Sequence, residues 1–253
     1  MTQKLRSLIV IPARRHSTRL PEKMLLAETG KSLIQHTVES AASSSKSQHV
    51  IVATDDHQIL ETVESFGGSA QMTSVDHVSG TDRVAEIAQR HPEFDVVVNL
   101  QGDEPEIPGA AIDLAISILE ANPDAVVATL ATPIRSKQLL DDPACVKVVL
   151  DENGRAMYFS RSPIPHARTW SDELLTGTNA NFLQHVGLYA YRRDFLLKFP
   201  ELPSCATEKL ESLEQLRVLS AGYPIYVGLI DDPIFGIDTR EDYDLFVRKY
   251  NSG

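Results

Sequence analysis

SLIVIPARRHSTRLPEK, Ser7 to Lys23, opens on branched apolar side chains and closes on a cluster of cations. Leu8 to Pro12 reads as a buried strand of a parallel sheet, because both faces of such a strand are covered and its residues run apolar without alternation. Pro12 ends the run, and the following loop carries Arg14, Arg15, Arg19 and Lys23. In an open α/β sheet, ligands bind in the crevice beyond the carboxyl ends of the strands. Guanidinium forks and an ammonium gathered there suit a polyphosphate, the plainer alternative being a solvated basic loop.

Working outward, strand and helix patterns alternate. The spacing predicts a helix from Ser32 to Ser43 and a strand over His49–Thr54. A helix opened by Asp55-Asp56 and stopped by Gly67-Gly68 follows, then a short strand to Met72 and a helix over Thr81–His91. Asp95–Gln101 and Ala125–Pro133 read as strands around a helix over Gly109–Ala121. This is the rhythm of crossover units on a parallel sheet. The second half differs: Glu-Asn-Gly joins two strands of a hairpin, residues 162 to 181 read as a loop, and His185–Arg192 reads as a strand. A helix over Thr207–Ala221, the strand PIYVGL and a helix over Arg240–Tyr250 capped by Thr239 complete the chain. The pattern implies an α/β nucleotide-binding half with a mixed-sheet insertion packed on it.

Composition narrows the function. The net charge of −11 argues against a nucleic-acid or anionic-membrane surface. Against it, residues 4 to 31 hold seven Lys/Arg and only Glu22 and Glu28, a local reversal that fits a small anion. No apolar run approaches a membrane span or a signal-peptide core, and Cys145 and Cys205 have no metal or redox spacing, so a reducing cytoplasm is expected. GxxxxGK[ST], GxGxxG after the first strand, GxSxG and HExxH are all missing, which disfavours the enzyme classes they mark.

Three constellations remain. Asp103 ends a strand at the rim that carries the basic loop, where an aspartate holds Mg²⁺ or merely closes a turn. Asp238 in GIDT is the second such acid or a helix cap. Together with the cations they point to a Mg-nucleotide site. TSVDHVSGTDR, Thr73 to Arg83, offers small residues before a helix N-terminus, suited to an anion and a flat base or to an ordinary cap. Glu211, Glu214 and Gln215 share a face of the expected Thr207–Ala221 helix, with Leu210, Leu213, Leu216 and Leu219 toward the core. The two acids are either solvated or acceptors for a polyhydroxylated sugar whose carboxylate meets Arg161 and His185.

The order and spacing of IPARRHSTRLPEK, VATDD, SGTDR, NLQGDEP, VKVVLDENGRAMYFSR, HVGLYAY, LEQLRVL and GIDTRED resemble those of the 3-deoxy-manno-octulosonate cytidylyltransferases over almost the whole length. That resemblance implies a Rossmann-like nucleotide-diphospho-sugar transferase fold with a mixed, mainly parallel sheet flanked by helices. It implies one domain over 1–253, with nucleotide-binding parts at about 1–133 and 222–253 and a smaller sugar-binding and dimerising part at 134–221, in a homodimer. The implied reaction joins CTP and 3-deoxy-manno-octulosonate (Kdo), with Mg²⁺, to give CMP-Kdo and pyrophosphate for lipopolysaccharide. Carried over residue by residue, Arg14, Arg19 and Lys23 take the triphosphate. Ala13, Ser17, Thr73, His77, Ser79 and Gly80 take cytosine and ribose, and Asp103 and Asp238 take the metal. Gln101, Arg161, His185, Tyr189, Glu214 and Gln215 take the sugar. Glu22 stands where a small residue such as Gly is usual, and is expected to pair with a neighbouring cation and soften phosphate binding.

Overall fold

The computed structural model describes residues 4–15, 19–178 and 180–252. Its centre is β1 (Ser7–Ala13), whose Leu8, Ile9, Val10 and Ile11 are wholly buried. Each such side chain contributes roughly 1.5–3 kcal/mol by leaving water, so the strand is an anchor from which a charged loop can project. Leu8 and Val10 pack on one side of the sheet with Val84 and Ala88, and Ile9 and Ile11 on the other with Ile34 and Ile112.

Local signals set the first half as expected. α1 (Leu33–Ala41) starts where the Ser32 hydroxyl accepts from the Gln35 amide, and β2 (Ser47–Thr54) follows. α2 (His57–Ser65) is capped by the Asp56 carboxylate, and Gly67 takes a φ of +81° just past its end. β3 (Ala70–Met72) leads to α3 (Gly80–Arg90), where Ser79 and Asp82 form a reciprocal capping box. β4 (Val96–Asn99), α4 (Gly109–Ala121) and β5 (Val127–Pro133) complete this half.

After the short α5 (Lys137–Asp141), β6 (Lys147–Leu150) and β7 (Ala156–Ser160) form the antiparallel hairpin that Glu-Asn-Gly predicts. The expected loop at 162–181 contains one helical turn, α6 (Glu173–Thr176). β8 (Leu183–Arg192), α7 (Arg193–Lys198), α8 (Ala206–Glu211), α9 (Gln215–Ser220), β9 (Ile225–Leu229) and α10 (Arg240–Ser252) follow. The strands form one nine-stranded sheet with the order β3-β2-β1-β4-β8-β5-β9, and the hairpin is added through β6 on β8. β1 pairs in parallel with β2 and β4, and β5 with β9, while β8 runs antiparallel between β4 and β5. The sheet is thus mixed and mainly parallel, and β8, from the stretch expected to bind sugar, is one of its central strands.

One expected element is corrected. The helix read over Thr207–Ala221 is two helices, because Ser212 takes a left-handed φ of +53° that ends α8. Leu210 is consequently 84% exposed, whereas Leu213 and Leu216 remain in the core. Arg161 fixes the break by donating to the carbonyls of Glu211 (2.7 Å) and Ser212 (3.4 Å), which the helix end leaves open.

Candidate active site

The reversal of strand order beside β1 opens the crevice where an α/β sheet binds ligands. At its floor lies Lys23, 8% exposed, in a short 3-10 turn. Its ammonium donates to Asp103 Oδ2 at 2.5 Å, Asp238 Oδ1 at 3.1 Å and the Ile237 carbonyl at 3.1 Å. Arg19 pairs with the other Asp238 oxygen at 3.0 Å. Two aspartates and two of the expected cations therefore converge.

Packing holds them there. Leu20 and Leu33 share an apolar cluster with Ile237, Tyr243 and Phe246, which seats the segment before α10 against the basic loop. The Ile237 amide donates to the Asp103 carbonyl at 2.8 Å, locking the two acidic segments together. Gly102 makes the approach possible: a β-carbon there would lie 3.1 Å from Met24 Sδ and 3.3 Å from the Pro12 carbonyl.

A single ammonium within reach of both carboxylates marks a spot built for positive charge. Its donors are all oxygen, the set a hard divalent cation takes, and two carboxylates plus phosphate oxygens are the usual protein share for Mg²⁺. No group of three or more His, Cys, Asp or Glu among the described residues forms an all-protein cage. The residues present fit the expected ion as a shared protein–nucleotide site.

The residues expected to take the nucleotide lie alongside. Ala13 is wholly buried at the end of β1. Arg14 donates to the His77 carbonyl at 2.7 Å, and the His77 ring meets Glu86 at 2.5 Å. The Thr73 hydroxyl donates to the Thr54 carbonyl at 3.0 Å and receives Arg83. Ser79 caps α3, and Gly80 sits in ordinary contact range of the Pro12 ring. Ser17 lies outside the described residues. Arg15 pairs with Glu22 at 2.6 Å and lies 3.6 Å from Asp56. Glu22 thus has the cationic partner expected of it, but that partner is Arg15 and none of the three cations expected to take the triphosphate.

The residues expected to take the sugar are distributed around β8. The His185 ring sits edge-on to Phe159 and 5.3 Å from the Tyr189 ring, with Nε2 3.0 Å from the Thr129 hydroxyl. Burial pushes its pKa down to about 3, so it offers a hydrogen bond and no charge. Gln101 approaches β8 at Gly187. Glu214 accepts from Thr81 at 2.8 Å, whereas Glu211 binds Ser160 at 2.6 Å and the Arg161 amide at 2.9 Å, so the break at Ser212 separates these two acids. Gln215 is buried at the start of α9. Arg161 spends three of its five N–H donors on the Glu211, Ser212 and Pro143 carbonyls, leaving two for a ligand.

The family model described as cytidylyltransferase matches residues 8–226. The 3-deoxy-manno-octulosonate cytidylyltransferase of Rhodopirellula baltica is 47% identical over 98% of this chain and 100% of its own. The protein of the same name from Syntrophotalea carbinolica is 46% identical over 92% and 94%. A solved CMP:2-keto-3-deoxy-manno-octonic acid synthetase complexed with CTP superposes with a TM-score of 0.90 at 41% identity, covering 98% of this chain and 99% of that one. The chain belongs to the 3-deoxy-manno-octulosonate cytidylyltransferase family.

Three buried groups of this cytidylyltransferase escape a reading of the sequence. Arg83, fully buried, reaches Asp55 at 2.5 Å and Thr73, joining the ends of β2 and β3. Its signal was a cation four residues from the core residue Ile87 on one helix face. Glu104 reads as a turn residue in GDEP, yet it is 8% exposed, and burial with Asp103 alongside pushes its carboxyl up to about 8. Asn99 ends β4 fully inside.

Two predictions arise here. Glu22 holds a left-handed φ of +54°, a conformation costing an ordinary residue roughly 1–2 kcal/mol, while its pair with Arg15 stands open to water and returns little. Glu22→Gly is therefore expected to keep or slightly raise thermal stability and to leave the KM for CTP within about twofold. A severalfold drop in that KM would show that Glu22 does compete with phosphate. The second concerns pH. His185 binds its proton less readily folded than unfolded, so its contribution to stability is present above about pH 6.5 and is lost as pH falls toward about 3. His185→Asn should flatten that acid limb of the unfolding curve by the order of a few kcal/mol, and an unchanged limb would mean that the ring is not held neutral.

Proposed function

We propose that this chain transfers the cytidylyl group of CTP to the anomeric hydroxyl of Kdo, releasing pyrophosphate. The observation that carries the reading is the convergence of Asp103 and Asp238 on one ammonium, with Arg19 on the other Asp238 oxygen, in a chain matched end to end by relatives of that name.

Asp103 and Asp238 would hold Mg²⁺, which when bound supplies Lewis-acid polarisation of phosphate oxygens. Arg14, Arg19 and Lys23 bind the triphosphate and stabilise the charge that grows on the departing pyrophosphate. Lys23 serves twice, first neutralising the two aspartates before substrate arrives and then turning its ammonium to phosphate. Thr73, His77, Ser79 and Gly80 form the wall for ribose and base, with Arg83 positioning Thr73. The β8 side, with Gln101, His185, Tyr189, Glu214 and Gln215, orients the sugar for in-line attack on the α-phosphorus, and Arg161 offers its free donors to the sugar carboxylate. Orientation of two bound reactants is worth roughly 7–11 kcal/mol, so no covalent intermediate is required.

The division into nucleotide and sugar parts, action as a homodimer and a cytoplasmic location belong to the same proposal. No described helix is long and apolar enough to cross a membrane. The test is pyrophosphate release from CTP with Kdo, its 8-amino analogue and sialic acid, alongside ATP, GTP and UTP, with and without Mg²⁺. Fastest release with CTP, Kdo and Mg²⁺ supports the reading, and no release with that mixture rejects it. Sedimentation of the same preparation decides the dimer.

A further inference from the structure

Two buried oxygens on either side of Gln101 have no hydrogen-bond donor: Asn99 Oδ1 and Glu104 Oε2. Asn99 is 2% exposed and Glu104 8%. Native proteins pair nearly all such atoms, and an unpaired one lowers stability until a donor arrives. Both face the same stretch of β8. Asn99 lies in register opposite Tyr189. A β-carbon added to Gly187 would lie 3.4 Å from the other Glu104 oxygen and 3.9 Å from Gln101 Cγ, so the three residues line one spot.

The strand is irregular there. Thr129 and Leu130 of β5 pair with Tyr189 and Val186, leaving Gly187 and Leu188 as a bulge. The Thr129 hydroxyl lies within 3.1 Å of the Val186 carbonyl and 2.7 Å of the Leu188 carbonyl, which holds the bulge open. A glycine in a bulge beside the Glu104 carboxyl, with Asn99 opposite Tyr189 two residues further along β8, puts two acceptors without donors along one stretch of the strand.

The chemistry selects the ligand. Asn99 Oδ1 accepts only, so its partner must bring a hydrogen, which a phosphate oxygen does not. The Glu104 carboxyl accepts when ionised and can also donate when protonated, and a hydroxyl, donor and acceptor at once, suits it in either state. Glu104 adjoins Asp103, so under the function proposed above a group reaching it would lie near the phosphates, on the side of β8. A polyol in that place has hydroxyls for both oxygens.

We propose that Asn99 and Glu104 are specificity-determining residues of the acceptor subsite, each unpaired oxygen receiving one hydroxyl of the polyhydroxylated sugar acid. This rests on the acceptor being the one named above. A carboxyl oxygen keeps an acceptor lone pair in either protonation state, so the assignment does not depend on the charge of Glu104.

The test uses the full-length enzyme with Mg²⁺ and CTP. Asn99→Leu and Glu104→Leu should raise the KM for Kdo by about 10- to 100-fold and leave the KM for CTP within twofold, and Glu104→Gln, which keeps an acceptor oxygen, should recover most of the Glu104→Leu loss. A series of monodeoxy Kdo analogues gives the readout a structural role would not move. Wild type should lose about 10- to 100-fold in kcat/KM on removal of a matched hydroxyl, while the corresponding variant treats that analogue and Kdo alike. An unchanged KM for Kdo in the folded variants overturns the proposal. So does a wild type indifferent to every single-hydroxyl deletion, a result that needs no variant to fold. Failure of wild type to release pyrophosphate from CTP and Kdo would instead reject the underlying function.

Discussion

Asp103→Asn is expected to lower turnover by about 10³-fold or more while the protein stays folded. The change keeps the shape of the side chain and removes its charge. Asp103 is within 2.5 Å of the only ammonium that also reaches Asp238 among the described residues, so it supplies about half of the negative charge at the proposed cation site. Loss of one charged contact to a developing transition state costs roughly 3–4 kcal/mol, which is two to three powers of ten, and a weakened hold on the metal adds to it. Stability should change little, because Lys23 retains Asp238 and the Ile237 carbonyl. The measurement is kcat by pyrophosphate release over a Mg²⁺ titration, with the melting temperature as control. A rate near that of wild type at ordinary Mg²⁺ would remove Asp103 from the chemistry.

The second large effect is on Lys23. Lys23→Met preserves the buried stem and deletes the charge, leaving Asp103 without its ammonium and Asp238 with Arg19 alone. Removing one partner of a buried ion pair costs roughly 3–5 kcal/mol. Because the Asp103 and Asp238 side chains are 21% and 41% exposed, water reduces that to about 2–3 kcal/mol. The variant should melt several degrees lower without ligand and regain much of the loss in millimolar Mg²⁺, since a cation that binds the folded state stabilises it by mass action. Turnover should still be down by at least about 10²-fold, because phosphate has lost its ammonium. The two readouts separate the roles: a melting temperature that neither falls nor responds to Mg²⁺ would deny that the aspartates form a cation site.

Much of this was legible in the residues themselves. The apolar run of β1, the Ser32 and Asp56 caps, the glycine after α2 and the Glu-Asn-Gly hairpin all express rules that operate within one turn or one strand pair. The helix over Thr207–Ala221 shows where such rules stop. Its leucine spacing is sound, yet Arg161, 51 residues upstream of Ser212, binds carbonyls that a continuous helix would have used, and the left-handed Ser212 follows. Glu104 shows the same limit: nothing within GDEP tells a solvated turn from a buried carboxyl, because the wall that buries it comes from β8.

By itself the sequence determined the alternating strands and helices, the basic loop after the first strand and the acidic residue at the end of β4, since period, turn chemistry and caps act over a few residues. Only the tertiary structure decided that Lys23 meets partners 80 and 215 positions away, and that β8 enters the sheet in the opposite direction to bring its bulge beside them. The reason is that these meetings depend on the docking of distant apolar surfaces, here Leu20 and Leu33 against Ile237, Tyr243 and Phe246, and the energy of that docking belongs to no single segment.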